Sequence, residues 1–388
     1  YEEGISRAFQ ACHRMLKPDG RMVIVFAHKQ PDAWESLVSA MIRAGFVVEA
    51  SWPIQTERGH RMRAMASAAL SSSVWLVCRK RPEDAPPGWD NRVLAQMREK
   101  LFGRWNEAEK RWDAAPRLHE FWDAGIRGPD FVWAATGPAL EAYSKHPVVK
   151  KANAPGEVMT VSEFLRHVRR LVVDFVVGRL LTRDGAEQVS GLDDVTTYYL
   201  LHRHDFGFAD APAGACILYA VSCGLSDRDL VDRYDLLART GGRGGEDEDG
   251  EDVGEAHAEE AEGGGEVGAA GSSEVSGSGS RFRLKPWQQR RLRSLGYDEE
   301  GRPAPLIDQV HRLMHLWRSG DLHAVNDYVE ERGLRRSALF HHLLQALIEL
   351  APAGSEERSL LESISNHLNG RGLLHRPVSE MLRMSLGV

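Results

Sequence analysis

The chain has 388 residues, enough for two or three domains, and its hydrophobic fraction of 42% is ordinary for a globular protein. No uninterrupted apolar run reaches the roughly 20 residues of a membrane span, so no membrane-embedded role is expected. The net charge of −7 conceals an asymmetry: residues 241–280 hold 12 acidic residues and one basic residue, and removing that −11 leaves +4 for the rest, a balance that permits nucleic-acid contact.

Residue 1 is Tyr and no leader pattern precedes the first element, which reads as a piece of a longer gene product in the cytoplasm. The stripe Ile5, Phe9, Cys12, Met15 and Leu16 has helical spacing. Pro18-Asp19-Gly20 then makes a tight turn. Met22 to Phe26 is apolar throughout, as expected of a central strand buried on both faces. Pro31-Asp32 opens a second amphipathic helix that Gly45 stops. Strands follow at Phe46–Trp52 and Ser72–Cys78, with a polar, basic stretch from Gln55 to Ser71 between them.

Pro82 to Trp89 reads as a linker, and Asn91 to Trp112 has helical periodicity. Small residues around Gly137 let backbones approach closely, and a helix is expected to begin at Pro138. Val161 to Leu181 reads as a strong helix, with Thr160 and Glu163 forming a capping box. Further helices are expected over Asp193–His204, Ala213–Cys223 and Asp227–Leu237, with Asp193-Asp194 as an N-terminal cap. The Gly/Glu/Ser-rich stretch 241–280 is too poor in apolar residues to offset ordering entropy, so it reads as a disordered acidic linker. Four helices are expected beyond it, near 305–319, 322–332, 337–350 and 356–368. The resulting domain division is 1–82, a linker at 83–90, 91–240, the acidic stretch 241–280, and 281–388.

Metal and nucleophile chemistry find little support. Cys12, Cys78, Cys216 and Cys223 form no Cys-x-x-Cys pair and read as small buried residues of a reducing compartment. His202-Arg203-His204-Asp205 looks metal-like, but imidazoles two residues apart do not share a helical face. His341-His342 reads as structure within an apolar helix. No Gly-x-Ser-x-Gly elbow or phosphate loop is present.

The order helix–strand–helix–strand–strand is that of the second half of a class I methyltransferase sheet. The ordered series Leu16-Lys-Pro-Asp-Gly20, Val25-Phe-Ala-His28, Ala33-Trp34, Ala44-Gly45-Phe46, Trp52-Pro-Ile54 with Thr56-Glu57, Ser72-Ser73, Val77-Cys-Arg79 and Gly137-Pro-Ala-Leu140 resembles the large bacterial and archaeal adenine-specific DNA methylases described as containing a zinc ribbon. It is similar to their C-terminal portion, over roughly residues 1–235. The resemblance implies an α/β N-terminal part, the second half of a Rossmann-like sheet, followed by a mostly α-helical C-terminal region. It implies methyl transfer from S-adenosylmethionine to the exocyclic amine of a flipped adenine, with DNA as partner and other defence-system proteins nearby.

On that resemblance, His28, Lys29, Trp52, Pro53, Thr56 and Glu57 are candidates for the target-base pocket, and Arg58, Arg61 and Arg63 for phosphate contacts. The chain departs from the family in lacking the glycine-rich cofactor turn, the Asp/Asn-Pro-Pro-Tyr motif and paired cysteines, so it is expected to be inactive and to bind no S-adenosylmethionine alone. Half a doubly wound sheet also exposes an apolar edge strand, here Met22–Phe26, and poor solubility follows from that. A helical module for DNA or protein partners, carrying a methyltransferase remnant, is the alternative reading. A class I small-molecule methyltransferase is a weaker third, since the long helical region has no purpose in it.

Overall fold

The computed structural model describes residues 2–28, 31–55, 72–106, 111–114, 116–182, 191–240, 281–290, 293–299 and 301–370. The chain is mixed α/β, with a small N-terminal sheet and a helical remainder. Helix α1 (Glu2–Met15) leads into β1 (Arg21–Phe26), α2 (Pro31–Arg43), β2 (Phe46–Gln55) and β3 (Ser72–Lys80). Strand β3 lies between β1 and β2 and runs antiparallel to both, so β1 and β2 are parallel to each other and joined through α2. Gly45 ends α2 with a positive φ of 86°, the left-handed conformation that lets the chain turn directly into β2.

One face of this sheet is covered and the other is not. Ile24, Leu76, Cys78, Val48 and Val74 are buried on the covered face. The other face carries two cross-strand rows, Val23–Val77–Ala50 and Val25–Trp75–Trp52. Val23 and Val25 are 51% and 52% exposed, and Trp52 49%. The central strand expected at Met22–Phe26 is therefore an edge strand buried on one side, because no partner among the described residues pairs beyond it. Its apolar run reflects two faces of which only one is filled. At one end of the sheet Arg21 and Arg79 stand opposite each other, a repulsive pair. The bulge in β2 supplies the remedy: Glu49 is the extra residue, and its carboxylate meets Arg79 Nε at 2.9 Å and also pairs with Arg21.

The chain continues through β4 (Gly88–Trp89), α3 (Asp90–Phe102), β5 (Arg104–Asn106), β6 (Arg111–Ala114), α4 (Arg117–Asp123), α5 (Gly128–Tyr143) and β7 (Val149–Lys150). The helix expected over 91–112 stops at Phe102, where Gly103 leaves helical geometry, and β5 and β6 form a hairpin instead. The helix expected to begin at Pro138 starts ten residues earlier; Pro138 sits inside α5, and Gly128-Pro129 makes the start. Phe131 through Leu140 are all buried, so α5 is a central helix with no solvent face.

Gly137 explains how α5 can lie directly on the sheet. A Cβ there would fall inside contact distance of Ser51 Oγ and Cβ on β2. The register is locked nearby by Ser144, whose hydroxyl accepts from Val48 N–H at 2.9 Å beside the bulge and donates to Leu140 O at 2.7 Å. Arg81 closes the layer: its guanidinium donates to Ile42 O, Ser144 O and His146 O, where α2 and α5 end.

The helical remainder comprises α6 (Val161–Leu181), α7 (Asp194–Phe206), β8 (Ala211–Pro212), α8 (Ala213–Ser222), β9 (Leu237–Thr240), β10 (Arg281–Leu284), α9 (Leu306–Ser319), α10 (Leu322–Glu331), α11 (Ala338–Leu350) and α12 (Glu356–Leu368). All four C-terminal helices lie where the periodicity places them. The helix expected at Asp227–Leu237 is a five-residue π-turn, Asp229–Arg233, followed by β9. Strand β10 pairs with both β8 and β9, and Thr240 stands opposite Arg281. The acidic stretch 241–280 thus departs from and returns to one hairpin; the stretch itself lies outside the described residues.

Both expected caps are present. Thr160 and Glu163 make the reciprocal capping box of α6. Asp193 caps two helices at once: Oδ1 accepts from Thr196 N–H of α7 at 2.8 Å, and Oδ2 from Leu306 N–H of α9 at 2.9 Å. One contiguous apolar cluster runs from the sheet through α5 and α6 to α11 and α12.

Two outcomes are expected. Gly137→Ala forces α5 away from β2 and lowers unfolding free energy by about 3 kcal/mol, readable from denaturant midpoints. Glu163, hydrogen-bonded by Lys151 and by the Thr160 backbone, is held at about 2, below its ordinary value. Its contribution is therefore present above the unfolded carboxylate range and lost as pH falls towards 2. Glu163→Gln should cost on the order of 1 kcal/mol at pH 7, and the gap from the parent should narrow between pH 4.5 and 2 in paired melts.

Candidate functional site

The parallel strands β1 and β2 end at the same edge of the sheet. Phe26, Val74 and Pro53 form the last full row, Phe26 facing Val74 and Val74 facing Pro53. His28 lies two residues past that row on one side, and Ile54-Gln55 on the other. In open α/β sheets the carboxyl edge is where ligands gather, because the loops diverge there.

Aromatic rings build the floor of this edge. His28 stacks on Phe26 at 6.2 Å, and Phe26 meets the edge of Trp34 at 4.9 Å. Trp34 stacks nearly flat on Trp133 of α5, 4.9 Å away and 7° from parallel. The Trp34 indole donates to the His28 carbonyl at 3.1 Å, which fixes the chain as it leaves β1. Beside them Arg169 of α6 pairs with Glu35 of α2 at 3.3 Å and is 3% exposed. Burial pulls the Arg169 guanidinium below its ordinary value, against the opposing pull of Glu35. Its Nε and Nη1 have no hydrogen-bond acceptor among the described residues.

The structure thus brings His28 and Pro53 to one edge. Trp52 is at the same edge but on the uncovered face, paired with Trp75. Lys29, Thr56, Glu57, Arg58, Arg61 and Arg63 lie outside the described residues. Trp133 and Arg169 were not singled out from the sequence, and Trp34 entered only through the Ala33-Trp34 pair of the resemblance, with no role at the edge. Trp34 reads locally as one more apolar helix position, and nothing in the local pattern says that α5 and α6 will meet it.

The two histidines of the His202-Arg203-His204-Asp205 segment diverge. His202 is buried, with Nδ1 3.1 Å from Tyr198 Oη and near Cys216. His204 lies towards a surface cleft, with Nδ1 2.8 Å from Asp205 Oδ1. Among the described residues, no group of three or more His, Cys, Asp and Glu side chains is arranged to hold a metal ion. Three of the four cysteines are buried as expected, but Cys12 is exposed on α1. Burial pushes the Cys78 and Cys216 thiols up to about 12 and Cys223 higher still, so none of these is a thiolate nucleophile at neutral pH. Among the described residues no helix is long and apolar enough to cross a membrane.

No family model, no curated protein and no solved structure matches the chain.

The S-adenosylmethionine that the resemblance implies needs a cradle of backbone N–H groups after a strand. Between the described strand β1 and helix α2 the connecting sequence Ala27-His28-Lys29-Gln30 contains no glycine. These residues do not fit the cofactor.

Burial holds His202 at about 4, below the ordinary imidazole value. Between pH 6.5 and 4 the unfolded chain therefore takes up a proton that the folded chain refuses, so stability falls as pH falls through that window. His202→Phe should flatten the pH dependence of unfolding free energy there by up to about one proton's slope, measured by urea titration at several pH values.

Proposed function

We propose that this chain is the far half of an adenine-specific DNA methyltransferase that uses S-adenosylmethionine. The observation that carries the reading is the strand order: β3 inserted antiparallel between β1 and β2, which are themselves parallel and joined by α2. That arrangement is the one the resemblance implies for the terminal half of a class I methyltransferase sheet, and of the resembling residues Val25-Phe26, Phe46, Trp52–Ile54, Ser72-Ser73 and Val77–Arg79 lie on its strands. Further support comes from the outer edge of β1, which pairs with no strand among the described residues, and from the position of His28 and Pro53 at one carboxyl edge. Trp52, half exposed beside that edge, offers a ring on which an extruded base can stack, worth about 1–3 kcal/mol.

On this reading the segment supplies one wall of the base site and a helical region for DNA or partner contacts. The cofactor cradle and the polar turn that grips the adenine amine would come from another part of the enzyme. The absence of Asp-Pro-Pro-Tyr and Asn-Pro-Pro-Tyr from the chain also favours a second reading, a helical module that binds DNA or defence-system proteins without catalysis.

The test is methyl transfer by the product of the complete reading frame, using labelled S-adenosylmethionine and duplex DNA. Label is expected in N6-methyladenine, and Trp52→Ala is expected to lower kcat/KM by about tenfold or more. A complete product that leaves adenine unlabelled, while binding DNA, would sink the enzymatic reading in favour of the second.

A further inference from the structure

The uncovered face of the small sheet carries two tryptophans directly opposite each other, Trp52 on β2 and Trp75 on β3. They are 49% and 37% exposed. Cross-strand neighbours hold their Cβ atoms about 5 Å apart, so the two indoles are anchored side by side, and Val25 of β1 continues the row. Among the described residues neither indole stacks on another aromatic ring or donates a hydrogen bond. By contrast, Trp34, Trp122, Trp133, Trp287 and Trp317 all pack against other rings. A contiguous apolar face of this kind marks a place of contact with a partner.

Charge on the same face says what that partner is. Strand alternation puts Val77 and Arg79 on the side of Trp75, and Val23 and Arg21 on the side of Val25. Along β3, Arg79 lies about 13 Å from Trp75 at the rise of an extended strand. Arg21 and Arg79 share one carboxylate, Glu49, which leaves a net positive charge at that end of the face. Both arginines are partly exposed, and a guanidinium has more N–H groups than one carboxylate can engage, so each can take a further acceptor. The face therefore runs from two open rings at the carboxyl edge, across valines, to a cationic end.

An apolar protein segment would cover the rings and valines and leave the surplus guanidinium unanswered. An unpaired nucleic-acid strand answers both, with flat bases for the indoles and phosphates for the arginines. Paired bases keep their faces inside the duplex, so only an unpaired stretch can use the rings. We propose that the uncovered face is a binding platform for single-stranded DNA, with successive bases stacked on Trp52 and Trp75 and the backbone running towards Arg79 and Arg21. The proposal rests on the reading of DNA as the partner of the carboxyl edge, and it adds Trp75 and the arginine end to the single ring of Trp52 considered there.

The test is a fluorescence-anisotropy titration of two labelled oligonucleotides with the full chain. One is single-stranded thymidine of about 12 nucleotides, a length such platforms cover. The other is an abasic strand of the same length and charge. Thymidine is expected to bind saturably and the abasic strand at least about tenfold more weakly, since only the first can stack. Trp75→Ala should weaken thymidine about tenfold and leave the abasic strand unchanged. Arg79→Gln should weaken both and reduce the salt slope by about one. Equal binding of the two strands, no binding of either, or parental thymidine affinity in Trp75→Ala would overturn the proposal. So would self-association of the parent that Trp75→Ala abolishes, with no preference for bases, which assigns the face to a protein contact. The two strands on the parent chain decide the matter even where a variant does not fold. Binding is read without methyl transfer, which separates the two readings. A base-preferring chain whose complete product leaves adenine unlabelled retains the platform and loses the enzyme; labelled adenine without base preference loses the platform alone.

Discussion

The close approach of α5 to β2 at Gly137 is the constraint on which the rest of the structure depends. A helix buried on every side must meet neighbours at short range, and only a residue without a side chain allows its backbone to rest on Ser51. Once α5 is seated, Ser144 reaches the β2 bulge and Arg81 reaches the ends of α2 and α5. Trp133 is then carried onto Trp34. The aromatic floor at the carboxyl edge and the covered face of the sheet are both consequences of that one contact.

The sheet is asymmetric in a way that bears on function. Its covered face is buried, whereas the opposite face presents Val23, Val25, Trp52 and Trp75 to solvent. The outer edge of β1 has no partner strand among the described residues. Apolar edge strands are costly to leave open, since they invite pairing with other chains. A half-open sheet of this kind is physically coherent as part of a larger assembly, which is the setting that the proposed function supplies.

Charge inside the helical region is handled by pairing. Arg203 and Glu357 meet at 2.8 Å although both are largely buried, and Arg290, wholly buried, meets Asp308 at 2.6 Å. Desolvation raises Asp308 and Glu357 above the ordinary carboxylate range while their arginines pull them back. Removing one partner would strand the other in a medium that cannot solvate it. Such pairs link α7 to α12 and the segment after β10 to α9, so the packing of these helices is specified by chemistry as well as by shape.

What the sequence determined by itself is local. Thr160 with Glu163 marked the start of α6, Asp193 that of α7, and Leu periodicity the last four helices, because caps and helical stripes act within a few residues. The alternation of helix and strand over the described residues of 2–55 and 72–80 was legible for the same reason. What only the tertiary structure decided depends on distant partners. An apolar hexamer such as β1 reads alike as a centre or an edge until its neighbours are known. Pro138 reads as a helix start until the preceding turns are seen to be helical, held by burial of Phe131 through Thr136. Trp52, proposed for a base pocket, proved to share the edge with His28 while facing the uncovered side, since pairing with Trp75 sets its direction. His202 and His204 look equivalent in one dimension. Full burial beside Tyr198 and partial burial beside Asp205 make them different, because a side chain's surroundings come from helices that the local sequence does not contain.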